Sequence, residues 1–143
     1  MRRLTLALTI TLAFVACSRG SSLPVNDFTS LVRNLQDAGF NVASDPAPLE
    51  GLYPFFHEAR VLLEGEPLAV YTFDTPEQAT YGMKMIAADG STVDGKAVNR
   101  ADPVFYRMEN MIVLFVQSAT EANDYLKTIL GESVFPPLPK GEE

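Results

Sequence analysis

The sequence predicts an α+β fold, with an antiparallel sheet of about four or five strands and two or three helices packed on one face. Three observations predict it. Apolar residues recur at helical spacing in three segments. Two pairs of apolar runs flank short turn sequences, as hairpins do. Two of the helical segments open on a capping box soon after a hairpin, a layered arrangement of sheet and helix.

The first helix is expected over Asp27–Ala38, where Phe28, Leu31, Val32 and Leu35 form one apolar stripe. Asn26 or Asp27 can cap its start and Gly39 can end it. Phe40 and Val42 then begin a short strand. Asp45–His57 holds three prolines together with Leu52, Tyr53, Phe55 and Phe56, so it reads as an irregular loop laid over apolar surface. Arg60–Leu63 and Leu68–Phe73 flank the turn Glu64-Gly65-Glu66-Pro67. Thr75 and Gln78 make a capping box with Pro76 at the first helical position, and Ala79, Gly82, Met83, Ile86 and Ala87 mark a buried stripe. Val104–Arg107 and Met111–Val116 flank a second turn at Met108-Glu109-Asn110. Ser118–Glu121 is a second box, followed by the stripe Ala122, Tyr125, Leu126, Ile129 and Leu130 and by the stop Gly131.

The two boxes lie 43 residues apart, an offset that carries Ala79 to Ala122, Met83 to Leu126 and Ile86 to Ile129. This suggests a β-β-α unit used twice. Met111–Val116 is apolar without alternation, as a strand covered on both faces would be, and Leu68–Phe73 is similar. One face belongs to the helices. The other is covered by the chain's own aromatic loop, by a partner or by a second copy.

Met1–Cys17 has a different character. Two arginines precede a 13-residue uncharged apolar run, and Ala16 stands directly before Cys17, the only cysteine. A basic head, a short apolar core and a small-residue exit describe a secretory signal, too short for a comfortable membrane span. Phe14 at the third position before the cut argues against an ordinary signal peptidase site. The pattern resembles the signal of bacterial lipoproteins, whose cysteine is acylated and becomes the new N-terminus. That resemblance implies lipidation at Cys17, with several acyl (palmitate-type) chains giving stable anchoring. Ser18, where an inner-membrane retention signal would have Asp, favours the periplasmic face of the outer membrane in a cell with two membranes. In a cell with one, the outer face of the cytoplasmic membrane is expected. The segments are therefore 1–16 signal peptide, 17–25 lipidated cysteine and tether, 26–133 one domain, and 134–143 a disordered Pro-rich tail.

Loss of residues 1–16 leaves 18 acids against nine bases, so the net charge moves from −7 to −9. Such a domain is repelled by nucleic acid, which is excluded as a partner. With Cys17 modified, no thiol remains for a disulfide or a metal. Asp89-Gly90-Ser91 and Asp94-Gly95 are turn sequences that lack the ligand spacing of a calcium loop. His57 is the sole histidine, and no GxSxG elbow or phosphate loop is present. No catalytic residue, metal or cofactor is assigned, and an enzyme is not expected. Tyr53, Phe55, Phe56, Tyr71, Tyr106 and Arg107 are the candidate binding surface, though strand alternation separates Phe105 from Tyr106.

Val70-Tyr71-Thr72-Phe73 before an acid-led helix, Ile86-Ala87-Ala88-Asp89-Gly90-Ser91, Pro103-Val104-Phe105-Tyr106-Arg107 before Met111–Val116, and Leu130-Gly131 resemble a family of small, uncharacterised bacterial lipoproteins. The match covers about residues 58–131, and this chain departs from the pattern at Ala87-Ala88 and Val104. The resemblance implies lipidation and the α+β fold and brings no catalytic residues. The expected function is a membrane-anchored cell-envelope lipoprotein that binds or scaffolds, with the bilayer and an envelope protein as partners. The alternatives are a small-ligand-binding module, with a pocket lined by Tyr53, Phe55, Tyr71 and Tyr106, and a hydrolase with convergent carboxylates.

Overall fold

The computed structural model describes residues 24–53 and 56–135. Asp27 sets the first helix, α1 (Phe28–Asp37), by accepting from the Ser30 amide while the Ser30 hydroxyl accepts from the Asp27 amide. After Gly39, at φ +91°, the chain enters β1 (Val42–Ser44), then β2 (His57–Leu63) and β3 (Glu66–Thr72), the latter two joined by a tight turn at Glu64-Gly65. Next comes α2 (Pro76–Lys84). Thr75 caps it as its sequence predicts, but Gln78 reaches back to the Asp74 amide rather than to Thr75.

The expected apolar stripe of α2 is cut short. Ile86 lies beyond the helix and bridges to Val93 in a small hairpin of β4 (Thr92–Val93) and β5 (Lys96–Ala97). The sheet is completed by β6 (Pro103–Met108) and β7 (Met111–Val116), and α3 (Thr120–Leu130) closes the domain. The expected capping box at Ser118 is not formed: Ala119 occupies the cap position and makes no side-chain bond there. Asn123 instead gathers the carbonyls of Val116, Gln117 and Ala119, which moves the first helical residue to Thr120.

The five-stranded sheet runs in the order β1-β2-β3-β7-β6, antiparallel throughout. The α+β class and the antiparallel sheet stand as the sequence predicts. Two helices, α1 and α3, share one face as predicted, while α2 packs on the other. Leu31 and Leu35 of α1 and Leu126 and Leu130 of α3 cover the face carrying Leu68, Val70, Val113 and Phe115. Ala79 of α2 packs with Leu52, Tyr53 and Val93 on the opposite face, against Tyr71, Phe105, Ile112 and Leu114. All six residues of β7 are buried, as a strand covered on both sides requires. The second face is thus covered by the chain itself.

This division removes the duplication. Val70 faces Val113, with Ala69–Leu114 and Tyr71–Ile112 on either side, so the pairing of β3 with β7 has local twofold symmetry at the 43-residue offset. A rotation that relates two antiparallel strands leaves each sheet face on its own side. It would bring α2 to the face it already occupies, opposite α3. The two hairpin–helix units are not copies in space.

Val134 and Phe135 also depart from their expected place in the tail. The amide of Phe105 donates to the Phe135 carbonyl (2.8 Å), and the Val134 amide donates to the Phe105 carbonyl (2.8 Å). The Phe135 ring lies over Gly90, where a Cβ would come within 2.2 Å of it. The two backbone bonds and the partly buried ring together offset the cost of ordering two residues. Residues 136–143, with the rest of the predicted tail, lie outside the described residues, as do residues 1–23.

Gly82 marks the closest approach of α2 to the sheet. A Cβ there would stand 2.8 Å from Phe73 Cζ and 3.1 Å from Ile112 Cδ1. Gly82→Val is expected to lower stability by about 2 kcal/mol through overpacking, read as a reduced urea midpoint at unchanged slope.

Candidate functional site

The six residues chosen from the sequence do not form one surface. Tyr53 and Tyr71 are buried edge to face beneath α2, with ring centroids 4.9 Å apart. Phe56 is half-buried against Phe73 at 4.2 Å. Tyr106 is buried on the opposite face, under α3, where its hydroxyl donates to Asn123 Oδ1 (2.7 Å). Arg107 donates to the Pro76 carbonyl (2.9 Å). Phe55 and Cys17 lie outside the described residues. Alternation along the strands places Tyr71 and Tyr106 on opposite faces, and rings of this size gain most when covered. The aromatic pocket required by the small-ligand reading is therefore not assembled from these tyrosines.

Burial pushes the Tyr106 hydroxyl up to about 12, with Asp124 and Glu132 adding to the effect. Burial raises Tyr53 and Tyr71 further, and for Tyr71 the neighbouring carboxylate of Glu58 contributes next. A phenol whose pKa is raised by folding stabilises the fold below its unfolded value, near 10, and loses that contribution as pH climbs toward the folded value. Alkaline titration followed at 295 nm is expected to show these three hydroxyls ionising only together with loss of the fold. Their ionisation below pH 10 in folded protein would contradict the burial.

The charged residues that do converge were not singled out by the sequence. Glu58 and Arg60 alternate along β2 toward the α2 side of the sheet, opposite Tyr71 and Ala69 of β3. The 45–51 loop lies over them. Asp45 Oδ2 meets Arg60 Nη2 at 2.8 Å, Glu50 Oε1 lies 3.7 Å from the same nitrogen, and Arg100 Nη1 bonds directly to Glu50 Oε1. Arg60 Nη1 also donates to the Pro48 carbonyl (2.7 Å), and the Glu50 amide donates to Glu58 Oε1 (3.2 Å). The side chains of Asp45 and Arg100 are each only 3% exposed. Asp45 and Glu50 are taken by arginines and Glu58 by a backbone amide. The convergence therefore seats the loop on the sheet. Lys96 adds a bond to the Gly51 carbonyl (3.0 Å). His57 is exposed at the start of β2. Among the described residues, no group of three or more His, Cys, Asp or Glu is arranged to hold a metal ion.

An open groove of about 740 Å³ lies elsewhere, where the C-terminal end of α1 (Ala38, Gly39, Phe40) faces the first turn of α3 (Thr120, Glu121, Ala122) and Glu64 of the β2–β3 turn. Its lining combines Phe40 and three alanines with two acidic residues, Glu64 and Glu121. Glu64, at φ +52°, also accepts from the Asn41 amide (2.7 Å), which holds the turn against the strand that leaves α1. Among the described residues, no lysine or arginine lines the groove.

The fold and this groove define a small α+β domain with helices on both faces of an antiparallel sheet and an acidic groove at one sheet end. Comparison with family models, with curated proteins and with solved structures finds no match.

Proposed function

We propose that the chain is an exported cell-envelope lipoprotein, anchored through acyl chains on Cys17, whose domain binds or scaffolds an envelope partner without catalysis. The observation that carries this reading is the N-terminal pattern: two arginines, an uncharged apolar run, and Ala16 before the single cysteine. The start of the domain is compatible with it. Val25 is buried at the beginning of the core, eight peptide links after Cys17, so the acylated sulfur stays within about 28 Å of that point. The groove, at the opposite end of α1 from Val25, supplies the docking surface. In a cell with two membranes, the outer one is the proposed destination.

The test compares the native chain with Cys17→Ser in the producing cell. The native protein should fractionate with membranes and carry a diacylglycerol mass on an N-terminal cysteine, whereas the variant should be released. An unmodified thiol, or identical fractionation of the two, would overturn the proposal.

A further inference from the structure

We propose that the outer side of β6 is a second docking surface, and that Val134 and Phe135 hold it shut as a built-in mimic of the ligand. That ligand is an extended segment of a partner protein carrying an aromatic side chain. The proposal stands apart from the groove and from acylation. Three observations support it.

The first is the form of the contact. β6 is the last strand of the sheet, and Phe105 presents both of its main-chain groups on the outer side. Its amide donates to the Phe135 carbonyl and its carbonyl accepts from the Val134 amide, each at 2.8 Å. Phe135 is thereby bridged antiparallel to Phe105. This is recognition by strand addition, in which main-chain bonds hold the added segment and a recess for one side chain selects it.

The second is the recess. The Phe135 ring meets Phe105 edge to face, with centroids 6.2 Å apart. It lies over Gly90, whose missing Cβ makes the room for it. The turn that carries Gly90 is fixed by bonds of its own. The Gly90 amide donates to the Ala87 carbonyl (2.8 Å), and Asp89 Oδ1 accepts from the Ser91 amide (3.0 Å) and hydroxyl (2.7 Å). The Val98 amide donates to the Ser91 carbonyl (2.8 Å). These bonds do not involve Val134 or Phe135, so the recess keeps its shape when the ring leaves.

The third is how lightly this two-residue strap is held. Among the described residues, its bridge to the sheet is confined to Phe105. The Val134 side chain is 43% exposed, and the Phe135 ring is only partly buried. Segments with so few buried contacts open locally while the domain stays folded. Outward main-chain groups recur at every second residue of a strand, so a longer ligand can pair at Arg107 as well as at Phe105. That extra rung lets it displace the strap, and its apparent affinity is set by the fraction of molecules with the strap open.

The experiment uses the full isotope-labelled chain in detergent, with a capped peptide of the sequence of residues 131–135 as the probe. Phe135→Ala should bind the peptide saturably, with shifts in the Gly90 and Phe105 amide resonances. Its affinity should exceed that of the native chain by about ten-fold or more, because there the strap competes. The same peptide with alanine in place of its phenylalanine should shift neither resonance. Equal affinity for the two chains, or no shift in either, would overturn the proposal. In the native chain, the Phe105 amide should exchange with solvent deuterium about ten-fold or more faster than the amides of β7. Exchange of Phe105 at the β7 rate, or loss of the fold in Phe135→Ala, would make the strap a fixed part of the core and overturn it as well. A dimer of the native chain that vanishes in Phe135→Ala would assign the surface to the strap of a second copy, against the partner proposed. Both readouts are indifferent to acylation, so failure here and failure of anchoring are distinguishable.

Discussion

Arg100→Met is expected to cost about 3–5 kcal/mol of folding stability, the range for breaking a buried ion pair from one side. Arg100 is almost wholly enclosed and bonds to Glu50, which also faces Arg60. Removing its guanidinium leaves Asp45, Glu50 and Glu58 with a single positive partner beneath the loop. The protein cannot return these carboxylates to water without lifting residues 45–51 from β2. Glu50→Gln in the same chain should recover part of the loss, because the uncompensated charge is then gone. A double-mutant cycle from urea unfolding reads the coupling directly. A cost below about 1 kcal/mol for Arg100→Met would place these charges in solvent, at the level of exposed pairs.

The second large effect is expected at Asn123, which is buried in α3. Its amide nitrogen donates to the carbonyls of Val116 (2.7 Å) and Ala119 (3.0 Å), and its oxygen accepts from the Tyr106 hydroxyl (2.7 Å). One side chain thus ties the end of β7, the start of α3 and the ring beneath them. Asn123→Leu keeps the γ-branched shape, with somewhat larger methyl groups, and removes every one of these bonds. Buried polar groups left unpartnered cost about 1–3 kcal/mol each. A total of about 3 kcal/mol is expected, which is roughly a 10–15 °C fall in melting temperature for a domain of this size. Tyr106→Phe alone should cost about 1 kcal/mol, and almost nothing further in the Asn123→Leu background, because its partner is already absent.

Much of the architecture was legible because burial leaves a periodic trace. The apolar run Met111–Val116 showed a doubly covered strand, and the stripe Phe28, Leu31, Val32, Leu35 showed a helix with one buried side. A stripe does not show which face of a sheet receives the helix, however. For that reason α2 and α3, nearly alike in pattern, lie on opposite faces without any difference in sequence that announces it. Side-chain caps were legible where the residue bonds locally, as at Asp27 and Thr75. The cap of α3 was not, because Asn123 does the work from inside the helix.

The candidate site was less legible still. Asp45, Glu50, Glu58, Arg60 and Arg100 are spread over more than fifty residues, and isolated charges read as solvated surface. The usable signal was Glu58 and Arg60 two apart in a strand, which puts two charges on one face beside a loop rich in apolar residues. The tyrosines misled for the opposite reason, since an aromatic cluster can be a contact surface or a core. The groove had no sequence signal, because its walls come from a helix end, a turn and a helix start that only the folded topology brings together.

The outer rim of β6 is held by Val134 and Phe135, and the opposite rim ends in β1, only three residues long. Strands left open at such margins act as seeds on which neighbouring molecules polymerise. By pairing Val134 and Phe135 with Phe105, this chain blocks part of the longer margin and so disfavours edge-to-edge growth between copies.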